Sequence, residues 1–337
     1  MMQFDYTQVK NPEFFQENRL EAHSDHVCYA NEQQLRIKET SLRKSLDGLW
    51  KFEFHKNFQS VDLDFVKKEY DCRAWDDITV PGHIQMQGYG VPQYLNTQYP
   101  WDGSEDILPG EIPTLDNPTA CYVKTFTVPT DWEKNSRIYI SFQGVESGFA
   151  LFLNGNYVGY SENSFDPADF DLTDYIVDGE NKLAVIVFKI TSSTWCEDQD
   201  FYRFSGIFRS VFLYDVPKCH LQDISVVPVL SEDLRSAKIE LAFKTMGKGT
   251  IEIELKERIQ NIIDIENTKD GETLLLSGKN KEQISFGKTE QDNDIIRAKK
   301  MEQENVTTTT ACFEVNDMKL WSAEAPNLYT LYVRVYD

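Results

Sequence analysis

Short stretches of alternating or continuous apolar residues recur along the first two-thirds of the chain. The segment after Asp47-Gly48, a turn dipeptide, alternates apolar and charged side chains as a half-buried strand does. Asn154-Gly155 is a strong hairpin signal between two further strand-like segments. The predicted strands cover residues 50–54, 121–128, 137–142, 149–153, 157–160, 181–188 and 208–214. Because no long amphipathic helix interrupts them, the pattern predicts an all-β sandwich of the jelly-roll type.

The last third of the chain has a different composition. Residues 244–311 contain one aromatic residue, Phe286, and many Lys, Glu, Asp and Asn. Apolar residues nevertheless recur two positions apart, so each series points to one face of a strand. These positions are Ile239, Leu241 and Phe243, then Ile251, Ile253 and Leu255, and finally Leu331, Val333 and Val335. The pattern predicts an immunoglobulin-like sandwich, with long, solvated hairpins between residues 264 and 310.

Three segments follow from these patterns. Residues 1–45 mix charged residues, Asn and Gln without a sustained helix or strand period, and we predict an extended N-terminal arm. Residues 46–218 are predicted to form the jelly-roll domain, and residues 219–337 the immunoglobulin-like domain. The chain stops at Asp337 directly after an alternating strand, which indicates a piece of a longer protein.

The charge balance excludes several classes of partner. The chain has 337 residues, with 55 Asp and Glu against 34 Lys and Arg, and a formal net charge of −21. Nucleic-acid-binding and polybasic membrane-surface proteins need a basic face, so we expect no nucleic-acid or membrane partner. There is no run of apolar residues long enough for a transmembrane helix, and no secretory signal at the N-terminus, which predicts a cytoplasmic protein.

The cysteines and histidines give no metal-binding spacing. None of the six cysteines forms a C-x-x-C pair, and we interpret them as reduced residues packed as small apolar side chains. His23 and His26 are the one close histidine pair. A zinc site at this pair remains the alternative interpretation.

Residues 195–209 are the most unusual stretch of the chain. Glu197, Asp198 and Asp200 place three carboxylates within four residues, and these repel one another unless a cation holds them. Candidates are Arg203, Arg209 or a bound hard cation such as sodium, magnesium or calcium. The neighbouring aromatic residues offer flat faces that suit the C–H surfaces of sugars. The alternative is a solvated acidic loop with its aromatic side chains in the core.

A long polar loop precedes the predicted strand at residues 121–128. It contains prolines and the aromatic residues Tyr99 and Trp101. Loops of this length in a compact domain are often functional, and these aromatic side chains are candidates to line a polar pocket. A structural Ω-loop is the alternative.

Ten short motifs together indicate a family. They occur in the order NRLEAH at 18–23, SLDGLW at 45–50, VPGHIQM at 80–86, DNPTACY at 116–122, NG at 154–155, VGY at 158–160, EN at 180–181, EDQD at 197–200, SGIFR at 205–209 and LWSAEAPNLY at 320–329. In these motifs the chain resembles the N-terminal third of the lactose-cleaving bacterial β-galactosidases of glycoside hydrolase family 2. The resemblance covers nearly the whole chain.

The resemblance implies a jelly-roll sugar-binding domain followed by an immunoglobulin-like domain. In the family a (β/α)₈ barrel comes next, and two glutamates of that barrel hydrolyse terminal β-D-galactosyl bonds by a retaining mechanism. This chain ends before the barrel. We therefore expect a non-catalytic portion of a β-galactosidase that has no catalytic residues of its own and is inactive alone.

The resemblance also implies site residues. Asp200 matches a residue that ligates sodium and meets the galactose 6-hydroxyl, two tasks that suit a carboxylate. Ser104 matches an asparagine that reaches the galactosyl site, and because serine is shorter, Asp102 is a second candidate contact. Sodium and magnesium are expected for the full-length enzyme, with sodium at Asp200 in this chain. A peripheral magnesium site would need a carboxylate where this chain has Ser192, so none is predicted here.

The expected partners follow from the same resemblance. They are a galactoside substrate, a catalytic barrel domain or complementary subunit, and further copies in a homo-oligomer. The matching arm in the family threads into a subunit interface, so residues 1–45 are expected to need a partner surface or their own jelly-roll to be ordered. Two other functions remain open, a free-standing carbohydrate-binding module and a scaffold or complementation subunit.

Overall fold

The computed structural model describes residues 4–133, 136–197, 200–258, 272–274, 283–286 and 306–337. The chain divides into two units. The first contains Met1–Ala22 and Thr40–Val216, and the second contains His23–Glu39 and Pro217–Asp337. Both units are built from antiparallel strands, which confirms the predicted all-β class. The residues of the predicted N-terminal arm are thus divided between the two units, and the domain boundaries given above stay a prediction.

The larger sheet of the first unit has seven strands. In spatial order they are β1 (Gln16–Glu17), β10 (Asn156–Glu162), β9 (Gly148–Leu153), β12 (Glu180–Phe188), β6 (Thr119–Thr127), β3 (Gly48–His55) and β4 (Asp76–Val80). Along β12 every residue after Glu180 is buried, as the continuous apolar run predicts. This central strand is therefore covered on both faces.

The second sheet of the first unit has four strands, and two small ribbons accompany it. The sheet order is β11 (Ala168–Asp171), β7 (Arg137–Phe142), β15 (Val211–Val216) and β2 (Arg43–Ser45). One ribbon joins β5 (Gln93–Leu95) to β13 (Phe201–Arg203), and the other joins β8 (Val145–Glu146) to β14 (Gly206–Ile207). Helix α2 (Thr194–Glu197) precedes β13, and short 3₁₀ segments lie at Tyr6–Lys10, Phe58–Ser60, Leu63–Val66, Ile84–Gln87 and Thr173–Tyr175.

Two apolar clusters hold the first unit together. The first brings together inward side chains of both sheets, among them Trp50, Tyr122 and Phe170. The second includes side chains from β6, β9, β10 and β12 that alternate with members of the first cluster. Residues outside the strands, such as Phe65 and Trp101, join it. The two clusters together bury β12 from both sides.

The N-terminal segment packs on this second cluster. The ring of Phe4 lies 5.6 Å from that of Tyr160 and 5.7 Å from that of Phe188, centroid to centroid. The ring of Phe14 stacks on Tyr160 at 5.6 Å. Strand β1 then pairs with β10 at the edge of the seven-stranded sheet. The first part of the predicted arm is thus bound to its own β-sandwich.

In its described residues the second unit is a two-sheet sandwich with one short helix. Helix α1 (Glu32–Ile37) begins after Asn31, whose side chain accepts a hydrogen bond from the Gln34 N–H at 3.0 Å. The strands are β16 (His220–Leu230), β17 (Ser236–Met246) and β21 (Val306–Asn316) in one sheet, and β18 (Gly249–Arg258), β19 (Glu272–Leu274), β20 (Gln283–Phe286) and β22 (Leu328–Tyr336) in the other.

The core of the second unit follows the predicted alternation. The inward positions predicted for β17 and β18 are all buried. They are Ile239, Leu241, Phe243, Ile251, Ile253 and Leu255. The three positions predicted for β22 are half-buried and pack against the same cluster. The hairpins predicted between residues 264 and 310 lie largely outside the described residues.

Candidate functional site

Asp200 lies at the start of a ribbon on the rim of the first unit. In this ribbon β13 pairs with β5, so that Tyr202 is opposite Tyr94. Asp200 has a φ of 53°, in the left-handed region that Asp tolerates better than most residues. Its N–H donates to the Asn96 carbonyl at 3.1 Å, and its Oδ1 accepts a hydrogen bond from the Tyr94 hydroxyl. These contacts fix an exposed carboxylate in place.

The hydrogen bond from Tyr94 to Asp200 predicts that the pKa of Tyr94 depends on the residue at position 200. The hydrogen bond to Asp200 and its negative charge raise the pKa of Tyr94, because both favour the protonated phenol. We expect Asp200→Asn to lower the pKa of Tyr94 toward its ordinary value, as measured by nuclear magnetic resonance of the tyrosine ring carbons. Tyr89 is the control, since Asp76 raises its pKa in the same way. A Tyr94 titration that does not change in this variant would contradict the geometry.

Exposed aromatic rings flank the carboxylate. The Tyr94 and Tyr202 rings lie 5.1 Å apart, and their side chains are 55% and 57% exposed. The Phe204 ring follows at 6.1 Å from that of Tyr202. An exposed carboxylate beside flat apolar faces is a combination that suits a sugar, whose hydroxyls need acceptors and whose C–H faces need apolar contacts.

A buried ion pair supports the ribbon from below. Arg203 on β13 is 1% exposed, and its Nη1 lies 3.7 Å from Oε1 of Glu146, which is equally buried. The same Glu146 oxygen accepts a hydrogen bond from the Phe204 N–H at 3.2 Å. The His83 ring lies 4.6 Å from that of Phe204, and burial lowers the pKa of its imidazole. Removing one side chain of such a pair is destabilising, because the charge of the other stays buried. The pair therefore anchors β13.

The acidic residues of this stretch have separate partners. The Glu197 carboxylate accepts hydrogen bonds from the Ser164 hydroxyl at 2.9 Å and from its N–H at 3.3 Å. Arg209, a candidate partner in the sequence, donates instead to the Phe165 carbonyl at 2.6 Å. Asp198 lies outside the described residues.

The loop that carries Asp102 and Ser104 closes on itself. Oδ2 of Asp102 accepts a hydrogen bond from the Tyr99 N–H at 3.0 Å, and the Ser104 hydroxyl donates to the Trp101 carbonyl at 2.8 Å. Both side chains are exposed. No hydrogen bond among the described residues joins either of them to Asp200. Their contact with a sugar stays a prediction.

Tyr99 and Trp101 pack inward rather than line a polar pocket. Trp101 is buried, the Tyr99 ring stacks on it at 4.9 Å, and both rings pack against Trp195. The pocket interpretation of these side chains was wrong because aromatic residues in a polar loop gain more by covering an apolar cluster than by facing water. Their packing favours the Ω-loop alternative, which stays a prediction.

Glu162 is a buried carboxylate that the sequence reasoning missed. Its side chain accepts hydrogen bonds from the Tyr160 hydroxyl at 2.7 Å, the Ser192 hydroxyl at 2.9 Å and the Ser193 N–H at 2.8 Å. Burial raises its pKa against these hydrogen bonds. Ser192, the position at which the family's magnesium site would need a carboxylate, is thus a donor to Glu162. The one sequence signal for Glu162 is its place at the end of a strand with otherwise buried residues.

The metal predictions can be compared with the donor atoms present. Among the described residues there is no group of three or more His, Cys, Asp or Glu side chains that could hold a metal ion. Within the described residues, no further His, Cys, Asp or Glu side chain therefore joins His23 and His26 in a group that could hold a metal ion. Asp200 fits a sodium site as one hard oxygen ligand, while a complete shell takes several. Sodium at Asp200 stays a prediction that needs further donors.

The cysteines only partly follow the prediction. All six lie within the described residues and none forms a disulfide, and Cys72 and Cys121 are buried as predicted. Cys28, Cys196 and Cys312 are exposed, so the packing prediction was wrong for them. Cys28 lies in a loop, Cys196 in helix α2 and Cys312 on β21, each at a position that faces water, where composition alone gives no signal of burial. Within the described ranges no helix has the length and apolar character needed to cross a membrane.

Comparison with known proteins identifies the two parts of the chain. Residues 42–217 match the family model described as the sugar binding domain of glycosyl hydrolases family 2, and residues 219–337 match a second model described as glycosyl hydrolases family 2. The described fold also resembles solved structures. A Bifidobacterium dentium β-glucuronidase in complex with coumarin-3-O-glucuronide matches with a TM-score of 0.60 and 19% identity over 89% of this chain and 46% of that chain. At this identity the likeness concerns the fold alone.

Curated relatives are more similar in sequence. A β-galactosidase of Halalkalibacterium halodurans is 42% identical over 98% of this chain and 30% of its own length. One of Clostridium acetobutylicum is 41% identical over 97% of this chain and 33% of its length. The β-galactosidase large subunit of Leuconostoc lactis is 36% identical over 100% of this chain and 50% of its length. The chain thus spans 30% to 50% of the length of these relatives. Because the sugar-binding-domain model alone matches more than half of this chain, the chain belongs to glycosyl hydrolase family 2.

Proposed function

We propose that this chain is the N-terminal, non-catalytic portion of a β-galactosidase that hydrolyses terminal β-D-galactosyl residues, with lactose among its substrates. The relatives named β-galactosidase support the activity of the whole protein. The observation that carries the role of this portion is the exposed Asp200 carboxylate, fixed by Tyr94 and Asn96 at the rim of the unit that matches a sugar-binding domain.

In this proposal the chain orients the sugar and the rest of the enzyme breaks the bond. The Asp200 carboxylate accepts a hydrogen bond from the galactose 6-hydroxyl, and the exposed Tyr94 and Tyr202 rings border the ring C–H surface. Asp102 and Ser104 are further candidate contacts on the neighbouring loop. A sodium ion, when bound, would supply positive charge that draws sugar hydroxyl oxygens to Asp200. The two carboxylates of a retaining mechanism lie in the remainder of the enzyme.

The proposed partners follow from the same division. Relatives named β-galactosidase large subunit support a complementary subunit or further segment as the partner of this chain. We extend the proposal to a homo-oligomer in the cytoplasm. The full-length enzyme would also use magnesium, with none bound at Ser192 in this chain.

A complementation assay tests the proposed function. The purified chain is mixed with the Halalkalibacterium halodurans β-galactosidase from which the matching segment has been deleted. We expect each component alone to be inactive toward lactose and o-nitrophenyl β-D-galactoside, and the mixture to be active. Hydrolysis by this chain alone, or a mixture that stays inactive although size-exclusion chromatography shows a complex, would contradict the proposal.

Asp200→Asn should impair the complemented enzyme without unfolding the chain. Hydrogen bonds to charged groups contribute about 1.5–3 kcal/mol, so kcat/KM should fall about 10- to 150-fold. Asp76→Asn is the matched control, because Asp76 also accepts a hydrogen bond from a tyrosine hydroxyl, at 2.8 Å from Tyr89. Steady-state kinetics and thermal unfolding of both variants give the comparison. Equal activities of the two variants would remove Asp200 from the site.

A free-standing carbohydrate-binding module is the second candidate. The exposed Tyr94 and Tyr202 rings beside a fixed carboxylate favour it, because these groups need no barrel to contact a sugar. Calorimetry of this chain with galactose and lactose separates the two functions. Micromolar binding supports the module, and no binding at millimolar sugar supports a site that is completed by the remainder of the enzyme.

A further inference from the structure

The first unit has a concave surface whose lining residues are not those of the ribbon that carries Asp200. It is a groove of about 550 Å³ between β2, β15 and the segments that precede and follow these strands. Its lining includes Arg43, Asp47, Gln143, Arg209, Ser210 and Phe212. The volume falls within the range of small-molecule sites, which is about 300–1,000 Å³. Neither Asp200 nor the exposed tyrosines beside it take part in this groove.

Arg43 is held on one wall by an aromatic ring. Strand β2 pairs with β15 so that Ser45 is opposite Phe212 and Arg43 is opposite Tyr214. This register sets Arg43 diagonally across from Phe212, and its guanidinium carbon lies 3.8 Å from the ring centroid. A cation–π contact of this kind fixes the guanidinium while it uses none of the N–H donors.

Arg209 is held on the opposite side by backbone groups. Its Nη1 donates to the Phe165 carbonyl at 2.6 Å and to that of Gln143 at 3.4 Å. Its stem runs over Gly144, where an added Cβ would come within 3.0 Å of Cδ of the arginine. These contacts occupy one nitrogen of the guanidinium. The donors on Nε and Nη2 have no protein acceptor among the described residues.

Neither arginine forms an ion pair with a carboxylate among the described residues, so the charge of each is available to a ligand of the groove. Elsewhere four arginines pair with carboxylates, and these pairs are Arg73–Asp71, Arg137–Asp171, Arg203–Glu146 and Arg334–Glu32. With 55 acidic residues against 34 basic ones, two guanidinium groups that face one groove without such partners form a local site for an anion.

Neutral and acidic groups complete the lining. Oδ1 of Asp47 accepts a hydrogen bond from the Val211 N–H at 2.9 Å, which leaves Oδ2 for a ligand hydroxyl. The Gln143 amide donates to Ser141 at 2.7 Å, which leaves its carbonyl oxygen as an acceptor. The Ser210 hydroxyl adds a donor. A simple inorganic anion has no hydroxyl groups to satisfy these acceptors, whereas a sugar has several.

We propose that this groove binds an anionic saccharide of about monosaccharide size. Arg43 and Arg209 hold its carboxylate or phosphate group, and Asp47, Gln143 and Ser210 hydrogen-bond to its hydroxyls. The site does not depend on the proposed function of Asp200. It would give the first unit a second sugar-binding surface with a different ligand class.

Calorimetric titration of the full chain tests this site. The probes are glucuronate, glucose 6-phosphate, neutral glucose and inorganic phosphate. We expect one or both anionic sugars to bind at least tenfold more tightly than glucose and than inorganic phosphate. Tighter binding of glucuronate identifies the carboxylate as the recognised group, and tighter binding of glucose 6-phosphate identifies the phosphate; either result supports the proposal.

Variants assign the binding to the groove. Arg43→Ala should lower the affinity for the anionic sugar about tenfold or more. Arg43→Lys keeps the charge but loses the paired donors, so its affinity should lie between those of Arg43→Ala and the original chain. Arg73→Ala is the matched control, since Arg73 is exposed on the same unit and already paired with Asp71. Equal binding of glucose or inorganic phosphate, no binding of either anionic sugar, or unchanged affinity in a folded Arg43→Ala chain would overturn the proposal.

Discussion

Replacing Trp50 by alanine is expected to lower the free energy of unfolding of the first unit by about 3–5 kcal/mol. Trp50 lies on β3 and is 1% exposed. Its ring meets the edge of the Tyr122 ring at a centroid distance of 6.4 Å and an angle of 84°. Its indole N–H donates to the Leu46 carbonyl at 2.8 Å. The substitution removes a large buried side chain and also leaves a buried carbonyl without its donor.

The neighbouring residue of the same strand provides the control for Trp50. Leu49 is 63% exposed, so Leu49→Ala should change the free energy of unfolding by no more than about 0.5 kcal/mol. Urea denaturation followed by far-ultraviolet circular dichroism gives both values, with the transition of the first unit fitted separately from that of the second. Equal shifts for the two variants would show that β3 does not have the described orientation.

The long strands could be predicted because burial requires a pattern of apolar residues within each strand. Within the predicted strand at residues 181–188, the apolar run of residues 183–188 has no polar face, and this is what a central strand between two apolar clusters requires. The alternating positions of β17 and β18 likewise mark one buried face, and Asn154-Gly155 marks the hairpin between β9 and β10. In each case a stretch of about ten residues is enough to identify the strand or hairpin.

The candidate site was less predictable because its contacts join distant parts of the chain. Tyr94 and Asp200 are 106 residues apart, and neither residue carries a sign that they pair. The strands of this ribbon have three residues each, too short for a periodic signal. Asp200 itself was found by resemblance. The buried pair of Arg203 and Glu146 gave no signal, since both residue types are usually exposed.

The short strands that complete the sheets were also missed for a physical reason. β1 has two residues and belongs to the sheet only through its pairing with β10. Its sequence is polar, with Gln16 and Glu17, and the apolar contacts that hold the segment come from Phe4 and Phe14, which both precede the strand. The position of such a segment is determined by the surface on which it packs, and its own residues show no strand period.

Gly159→Ala tests this docked segment and is expected to displace it. A Cβ at position 159 would lie 2.4 Å from the Glu17 carbonyl oxygen and 2.7 Å from a ring carbon of Phe170. Both neighbours are held, one by pairing in the sheet and the other by complete burial, so neither moves easily. Overpacking of this kind costs about 1–3 kcal/mol, and we expect the upper end because a backbone atom is involved.

The expected result of Gly159→Ala is a chain that stays folded while its N-terminal segment opens. A local cost of about 3 kcal/mol raises the open population about 150-fold, and cleavage before residue 20 should accelerate by a similar factor when opening is fast. Limited proteolysis with mass spectrometry measures this. Gly179→Ala adds the same methyl group at a turn where no other heavy atom lies within 4 Å but where a φ of 82° strains alanine. It therefore controls for a general loss of stability, and the N-terminal segment of this variant should be cut at the original rate. Because the matching arm in the family takes part in a subunit interface, Gly159→Ala should also weaken the activity of the complemented enzyme. An N-terminal segment that stays protected from proteolysis in this variant would contradict the described contact between Glu17 and β10.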